Sequence, residues 1–166
     1  MDLMSSLLSQ YRASLQMHRN AIEACPDSVW VDEAYRNRSW NLSYHVLFYT
    51  HLYASRSEEA FAPWDKGRMN LQYMGRLPYP PHTELELGTP YSKAAMLEYA
   101  SFVERVLMQA LPGEDLGAES GFEWLPFRRF ELHLYNLRHL QHHTGQLSDR
   151  LQSATGAGVR WVGRAT

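Results

Sequence analysis

Thiols are almost absent from this chain: Cys25 is the only cysteine in 166 residues. That rules out an intramolecular disulfide and any thiolate-rich zinc or iron–sulfur site. Cys25 itself reads as a packed side chain rather than a nucleophile, since buried thiols are mostly inert. Long hydrophobic runs are also missing. No stretch approaches the ~18 consecutive apolar residues of a membrane span, so no membrane partner is expected. An excess of one charge is lacking as well, with 16 Lys and Arg against 18 Asp and Glu for a net charge of −2. Without a basic footprint for phosphates, nucleic acid is not an expected partner. The stretch MDLMSSLLSQYR has an acidic Asp2 and no basic residues before its leucines, so it does not read as a secretory signal, and a cytoplasmic protein is the default expectation.

What remains is ordinary for one compact domain with a real core: 45% of residues are hydrophobic and 20% charged. Helical periodicity dominates. Leu7, Tyr11, Leu15, His18 and Ile22 form a first stripe that Pro26-Asp27 ends. Residues 27–38 read as a connector. A second helix starts near Ser39 or Asn41, either of which can supply an N-cap oxygen, and carries Leu42, Val46, Tyr49 and Tyr53. His45 sits at the edge of that stripe. His51, about 120° away, is expected at the surface. Residues 62–89 hold Pro63, Pro78, Pro80 and Pro81 and cannot be one helix. This long connection reads as a lid or as a wrapping crossover, with His82 inside it.

Ser92 is a good N-cap for a third helix bearing Met96, Tyr99, Val103, Val106, Leu107 and Ala110, which Pro112-Gly113 stops. The last helix spans about Phe127 to Leu151 and is expected to pack through Phe130, Leu134, Leu137, Leu140, Leu147 and Leu151. These six occupy an arc of roughly 140°, the width of a core-facing stripe. His133 projects from its middle and reads as a buried structural histidine. Gly145, costly in mid-helix, is expected to let a neighbouring helix approach closely. The glycine-containing tail offers Trp161 as an anchor to the body or to a second subunit. The expected fold is all-α: a four-helix bundle of up-down-down-up type with a long crossover between its second and third helices. The expected division is a bundle over residues 1–152 and a packed tail over 153–166.

Three of the eight histidines lie in RHLQHHTGQL, near the end of the last helix. His139 and His143 are four apart, stack on one helical face and can reach one metal ion together. His142 lies about 100° round from His143 and reads as solvated. In a bundle the third ligand comes from a facing helix, and His45 is the natural partner, whereas His18 reads as a packed histidine. Three neutral imidazoles with an open fourth position suit catalytic zinc, and also nickel or iron. The metal would lower the pKa of bound water or polarise a substrate oxygen. A zincin is excluded because Leu140 stands where its glutamate should follow His139. A ferritin-like di-iron site fails because no histidine has a glutamate three residues before it. Nothing selects for bis-histidine haem.

WNLSYHVLFYTHLY, followed late in the chain by NLRHLQHHTGQL with its His-x-x-x-His-x-Gly-Gln element, resembles the DinB-like family of bacterial four-helix bundles. This is a metal-binding stress-protein group related to thiol transferases. The resemblance runs from about Met1 to Leu151. It places His45 at the family's single histidine on helix two, and His139 and His143 at its pair on helix four. Thr144 stands where the family often has arginine. The resemblance implies zinc or nickel, a homodimer and, in several members, a low-molecular-weight thiol co-substrate such as bacillithiol, mycothiol or glutathione. The expected function is metal-dependent thiol transfer to, or hydrolysis of, a small electrophilic molecule, with metal-held thiol or water as the reacting group. The alternative is a non-catalytic metal-binding stress-response dimer.

Overall fold

The computed structural model describes residues 2–165, so Met1 and Thr166, the outer ends of the two expected units, lie outside the described residues. The chain is all-α. Its helices are α1 (Leu3–Ala24), α2 (Asp27–Trp30), α3 (Ser39–Leu52), α4 (Lys93–Ala110) and α5 (Arg129–Thr155), with one 3-10 turn at Leu111–Gly113. Among the described residues the only β-pairings are isolated bridges, Arg76 with Glu84 and Glu119 with Arg128. The four long helices close a ring of contacts: α1 packs on α5 and α4, and α3 packs on the same two.

Helix α1 opens on Asp2, whose carboxylate accepts from the Ser5 N–H, and ends at Cys25 before Pro26. Its expected stripe of Leu7, Tyr11, Leu15, His18 and Ile22 is buried. Cys25 is buried in the same core. The segment read as a connector holds the single turn α2, and Trp30 at its end donates from Nε1 to the Tyr91 carbonyl (2.8 Å).

Helix α3 corrects two expectations. Neither Ser39 nor Asn41 caps it; Arg38 takes the N-cap position without a side-chain hydrogen bond. Both polar side chains are drawn to distant partners instead. Ser39 Oγ accepts from Arg150, and Asn41 Nδ2 donates to the Leu71 carbonyl. His51, expected at the surface, is 3% exposed and packed by Phe61, Tyr99 and Phe102. The wheel argument assumed one buried face. Helix α3 instead meets α4 and α5, and the chain between α3 and α4 folds over its remaining side. That crossover wraps rather than caps: Trp64 and Leu71 are buried, and Trp64 stacks on Tyr99 with ring centroids 4.3 Å apart.

Ser92 caps α4 as expected, accepting from the Ala95 N–H (3.1 Å). Met96, Tyr99, Val103 and Leu107 are buried, whereas Ala110 is exposed and Val106 half-buried. Helix α5 runs one turn past Leu151, through the boundary expected at 152, and is closed by Gly156 in the left-handed conformation (φ 78°).

The buried face of α5 differs from the leucine stripe. Leu134 is 49% exposed, while Leu132, His133, Asn136, Leu140, His143, Thr144 and Leu147 are buried. This face is centred roughly 70° round from the arc of the six apolar residues. Four polar side chains share it with Leu140 and Leu147 of the expected stripe; Leu151 is buried too, Phe130 and Leu137 pack against the core, and Leu134 alone of the six is turned out. His143, expected at the edge, therefore lies inside.

Gly145 does not permit a close helix approach, because a Cβ built there meets nothing within 4 Å. Gly145→Ala should accordingly stabilise the protein by about 0.5–1 kcal/mol. For a chain of this size that is a rise of roughly 1–4 °C in Tm, readable by calorimetry. A fall in Tm would mean that the open space is needed. Trp161 does not anchor the tail to the body, being 71% exposed. The tail is held instead by Gln10 donating to the Gly163 carbonyl (3.3 Å), by the Val159 N–H on Ser148 Oγ (3.2 Å), and by Val159 packed against the core.

Candidate metal centre

The structure brings His45 of α3 together with His139 and His143 of α5. One ring nitrogen from each lies within 4.8 Å of the others. Ring centroids are 5.0 Å apart for His45 and His139, 4.8 Å for His45 and His143, and 4.6 Å for His139 and His143. His45 faces α5 because α3 and α5 pack side by side. His139 and His143 share a face because they are one helical turn apart.

Two of the rings are oriented by partners on their far side. His45 Nδ1–H donates to the Gln72 carbonyl (2.5 Å), and His143 Nδ1–H donates to Gln146 Oε1 (2.7 Å). A neutral imidazole carries one N–H, so these bonds leave the Nε2 of His45 and of His143 as lone-pair acceptors, that of His45 placed to accept from His139 Nε2–H when no ion is bound. His45 Nε2 and His139 Nε2 are 3.1 Å apart. Two nitrogens held ~2.0–2.1 Å from one tetrahedral cation would be about 3.3–3.4 Å apart, so the observed spacing is close to what a shared ion requires. His139 Nδ1 is buried without a hydrogen-bond partner. No tautomer of His139 pairs both of its nitrogens within the protein.

All three rings are held neutral. Burial lowers the pKa of His45 to about 4, with the Gln72 bond opposing it and the nearby His143 adding to it. Burial also lowers His139 to about 3, helped by its three histidine neighbours. His143 is lowered by burial against the opposing bond from Gln146. Neutral imidazole is the form that binds metal. Tyr49 walls the cluster, its ring 4.9 Å from that of His45 and perpendicular to that of His139 at 5.7 Å. Burial pushes its hydroxyl up to about 12, so it stays protonated. His142 is exposed on the outer side of α5, its ring 5.0 Å from that of His143.

The other histidines do different work. His18 is fully buried and bonded to Thr144 and Ser43. His82 is exposed in the crossover, where Nδ1 meets only the Leu77 carbonyl (3.2 Å). His133 is fully buried, with Nε2 on Glu114 (2.5 Å) and Nδ1 facing the Tyr11 hydroxyl (3.0 Å). Glu114 also pairs with the buried Arg129. Sequence reading missed both Glu114 and Arg129. It also missed Gln72, which acts through a backbone carbonyl that no side-chain pattern can signal. Gln146 was detectable in principle, since it follows His143 by three residues on a helix.

His51 gives a pH test away from the cluster. Burial lowers its pKa from 6.5 to about 4. Between those values the unfolded chain binds a proton there that the folded chain does not, so stability rises with pH across that window and falls on acidification. His51→Leu should remove one proton from the dependence, making the slope shallower by up to about 1.4 kcal/mol per pH unit in urea titrations at pH 4–6.5. An unchanged slope would show that His51 does not resist protonation.

No family model, no curated protein and no solved structure matches this chain.

Proposed function

We propose that this protein is a divalent-metal enzyme in which His45, His139 and His143 hold zinc or nickel and a small thiol is transferred to an electrophilic molecule. The observation that carries this reading is the convergence of three neutral imidazoles from two helices, with two Nδ1 atoms tied to acceptors and the Nε2 lone pairs left over. Packing and surface histidines have no need of such an arrangement. Outer hydrogen bonds of this kind orient metal-ligating histidines.

A divalent cation at this place would favour the ionised form of a bound thiol or water. The choice of a thiol follows from the resemblance to the DinB-like family. No Asp or Glu joins the three histidines among the described residues, so a bound thiol or water would give up its proton to solvent rather than to a carboxylate of the cluster. A thiol is acidic enough to lose its proton to solvent. In the transfer, the sulfur–carbon bond forms as the bond from carbon to the leaving group breaks. Tyr49 remains protonated beside the rings.

The ring of contacts among α1, α5, α3 and α4 supports reading the fold as a four-helix bundle, and the resemblance to the DinB-like family implies its up-down-down-up order. That resemblance further implies a cytoplasmic homodimer.

Metal analysis of the purified protein tests the site, with about one zinc or nickel per chain expected in the wild type and loss in His45→Ala and His143→Ala. Stoichiometric metal surviving both substitutions would sink the three-histidine assignment. A panel of thiols with a chromogenic aryl halide tests the chemistry. If metal binds and no thiol supports turnover above the triple-alanine variant, the ion serves to tie α3 to α5 in a non-catalytic metal-binding protein.

A further inference from the structure

We infer that His18 is a positioning residue for the metal centre, setting the spacing of the two ligand-bearing helices through Ser43 and Thr144. This rests on the three-histidine reading above. His18 lies on α1, which supplies no ligand. Its Nε2 is 2.9 Å from Ser43 Oγ on α3 and its Nδ1 is 3.1 Å from Thr144 Oγ1 on α5. Ser43 stands two residues before His45, and Thr144 directly follows His143. One imidazole therefore joins the helices that carry the ligands, at the level of the ligands.

Three features set this trio apart from ordinary packing. His18 and Ser43 are fully buried and Thr144 is 1% exposed, so both bonds lie in the dry interior. Helices α1 and α3 are not neighbours in the contact ring, so the bond to Ser43 crosses its middle. The imidazole is also a rigid spacer with its two nitrogens at fixed separation. In the neutral ring one nitrogen donates and the other accepts, and a hydroxyl can answer either role. A buried polar trio is seldom more stable than apolar side chains of the same shape. What it supplies is one defined spacing of α3 against α5, because sliding either helix breaks a buried bond. Ligand nitrogens tolerate little error in separation, so that spacing bears directly on metal affinity.

The test uses the full chain and Co(II) as the probe, with affinity measured by competition against a chromogenic chelator and geometry read from the visible d–d bands. Wild type is expected to bind with the band pattern of a nitrogen-rich site. His18→Leu should keep the metal-free helical fold, bind Co(II) about tenfold more weakly or worse, and show altered bands, as expected for the loss of an outer support. His18→Gln retains a donor and an acceptor and should recover much of the affinity. Unchanged affinity and bands in a folded His18→Leu would overturn the inference while leaving the metal site standing. Absence of Co(II) binding by the wild type would overturn both. Should His18→Leu not fold, Ser43→Ala and Thr144→Val each cut one arm. Weaker binding in both is the expected result, and wild-type affinity in both would refute the positioning role.

Discussion

Replacing Glu114 with alanine is expected to cost about 3–5 kcal/mol of stability, the scale for removing one partner from a buried ion pair. Glu114 reaches both Arg129 and His133. The Arg129 side chain is only 4% exposed and also donates to the carbonyls of Ser55 and Ser120 (2.9 Å each) and Tyr53 (3.2 Å). These bonds fasten the end of α3 and the 114–128 connector to the first turn of α5. Without the carboxylate, a guanidinium stays in the interior with no counter-charge, and His133 loses the acceptor for its Nε2. The exposed pair of Lys66 and Glu98 makes a useful control, since both side chains are about half in water (51% and 52%) and screening leaves such pairs little influence. Urea unfolding of Glu114→Ala beside Glu98→Ala should show a large shift in midpoint for the first and almost none for the second. A loss below about 1 kcal/mol for Glu114→Ala would place the pair in the surface class instead. Glu114→Leu combined with Arg129→Met should recover only the part of the loss due to the uncompensated charge. The carbonyls of Tyr53, Ser55 and Ser120 stay without the Arg129 donor, and His133 stays without Glu114.

Metal should stabilise the wild-type fold by about 4 kcal/mol at a free concentration a thousandfold above its Kd, through mass action on the folded state alone. The gain should vanish in His45→Ala. His139→Leu makes a sharper distinction because its effect changes sign. In metal-free protein, His139 leaves Nδ1 buried and unpaired, which costs free energy that leucine does not. The variant should therefore match or exceed wild-type stability when metal is stripped, and fall below it when zinc or nickel is present. Thermal melts with and without chelator read both arms. If His139 were a packing residue, the two arms would move together.

The residues behind these two predictions were not equally visible before folding. The pairing of His139 with His143 is a local matter: 3.6 residues per turn put them on one face of any helix that forms. His45 stands in an apolar helical pattern, so its placement between helices follows from the rule that such faces pack. The boundaries at Pro26, Ser92 and Pro112-Gly113 are likewise set by residues beside them. The ion pair of Glu114 with Arg129 had no such signal, because it joins residues whose meeting depends on the path of an irregular connector. Burial of His51 was invisible for a related reason. A helical wheel describes one helix, and the crossover that closes over α3 is decided elsewhere in the chain.

The buried face of α5 shows the division most clearly. The arc of its six expected apolar residues is centred about 70° from the face the fold buries, so Leu140, Leu147 and Leu151 fall on both while Leu134 is turned out. Local periodicity sees only apolar side chains, whereas the structure buries His133, Asn136, His143 and Thr144 by giving each a hydrogen-bond partner. The sequence by itself determined the all-α class, the turn-spaced histidine pair and the placement of His45 on a packing helix, since each depends on contacts within a few residues or on a repeat. Only the tertiary structure decided that these three rings meet, that the Gln72 carbonyl turns His45, and that His18 spans the middle behind them. Hydrogen bonds between residues distant in sequence exist only once the helices are packed, and no local pattern encodes their partners.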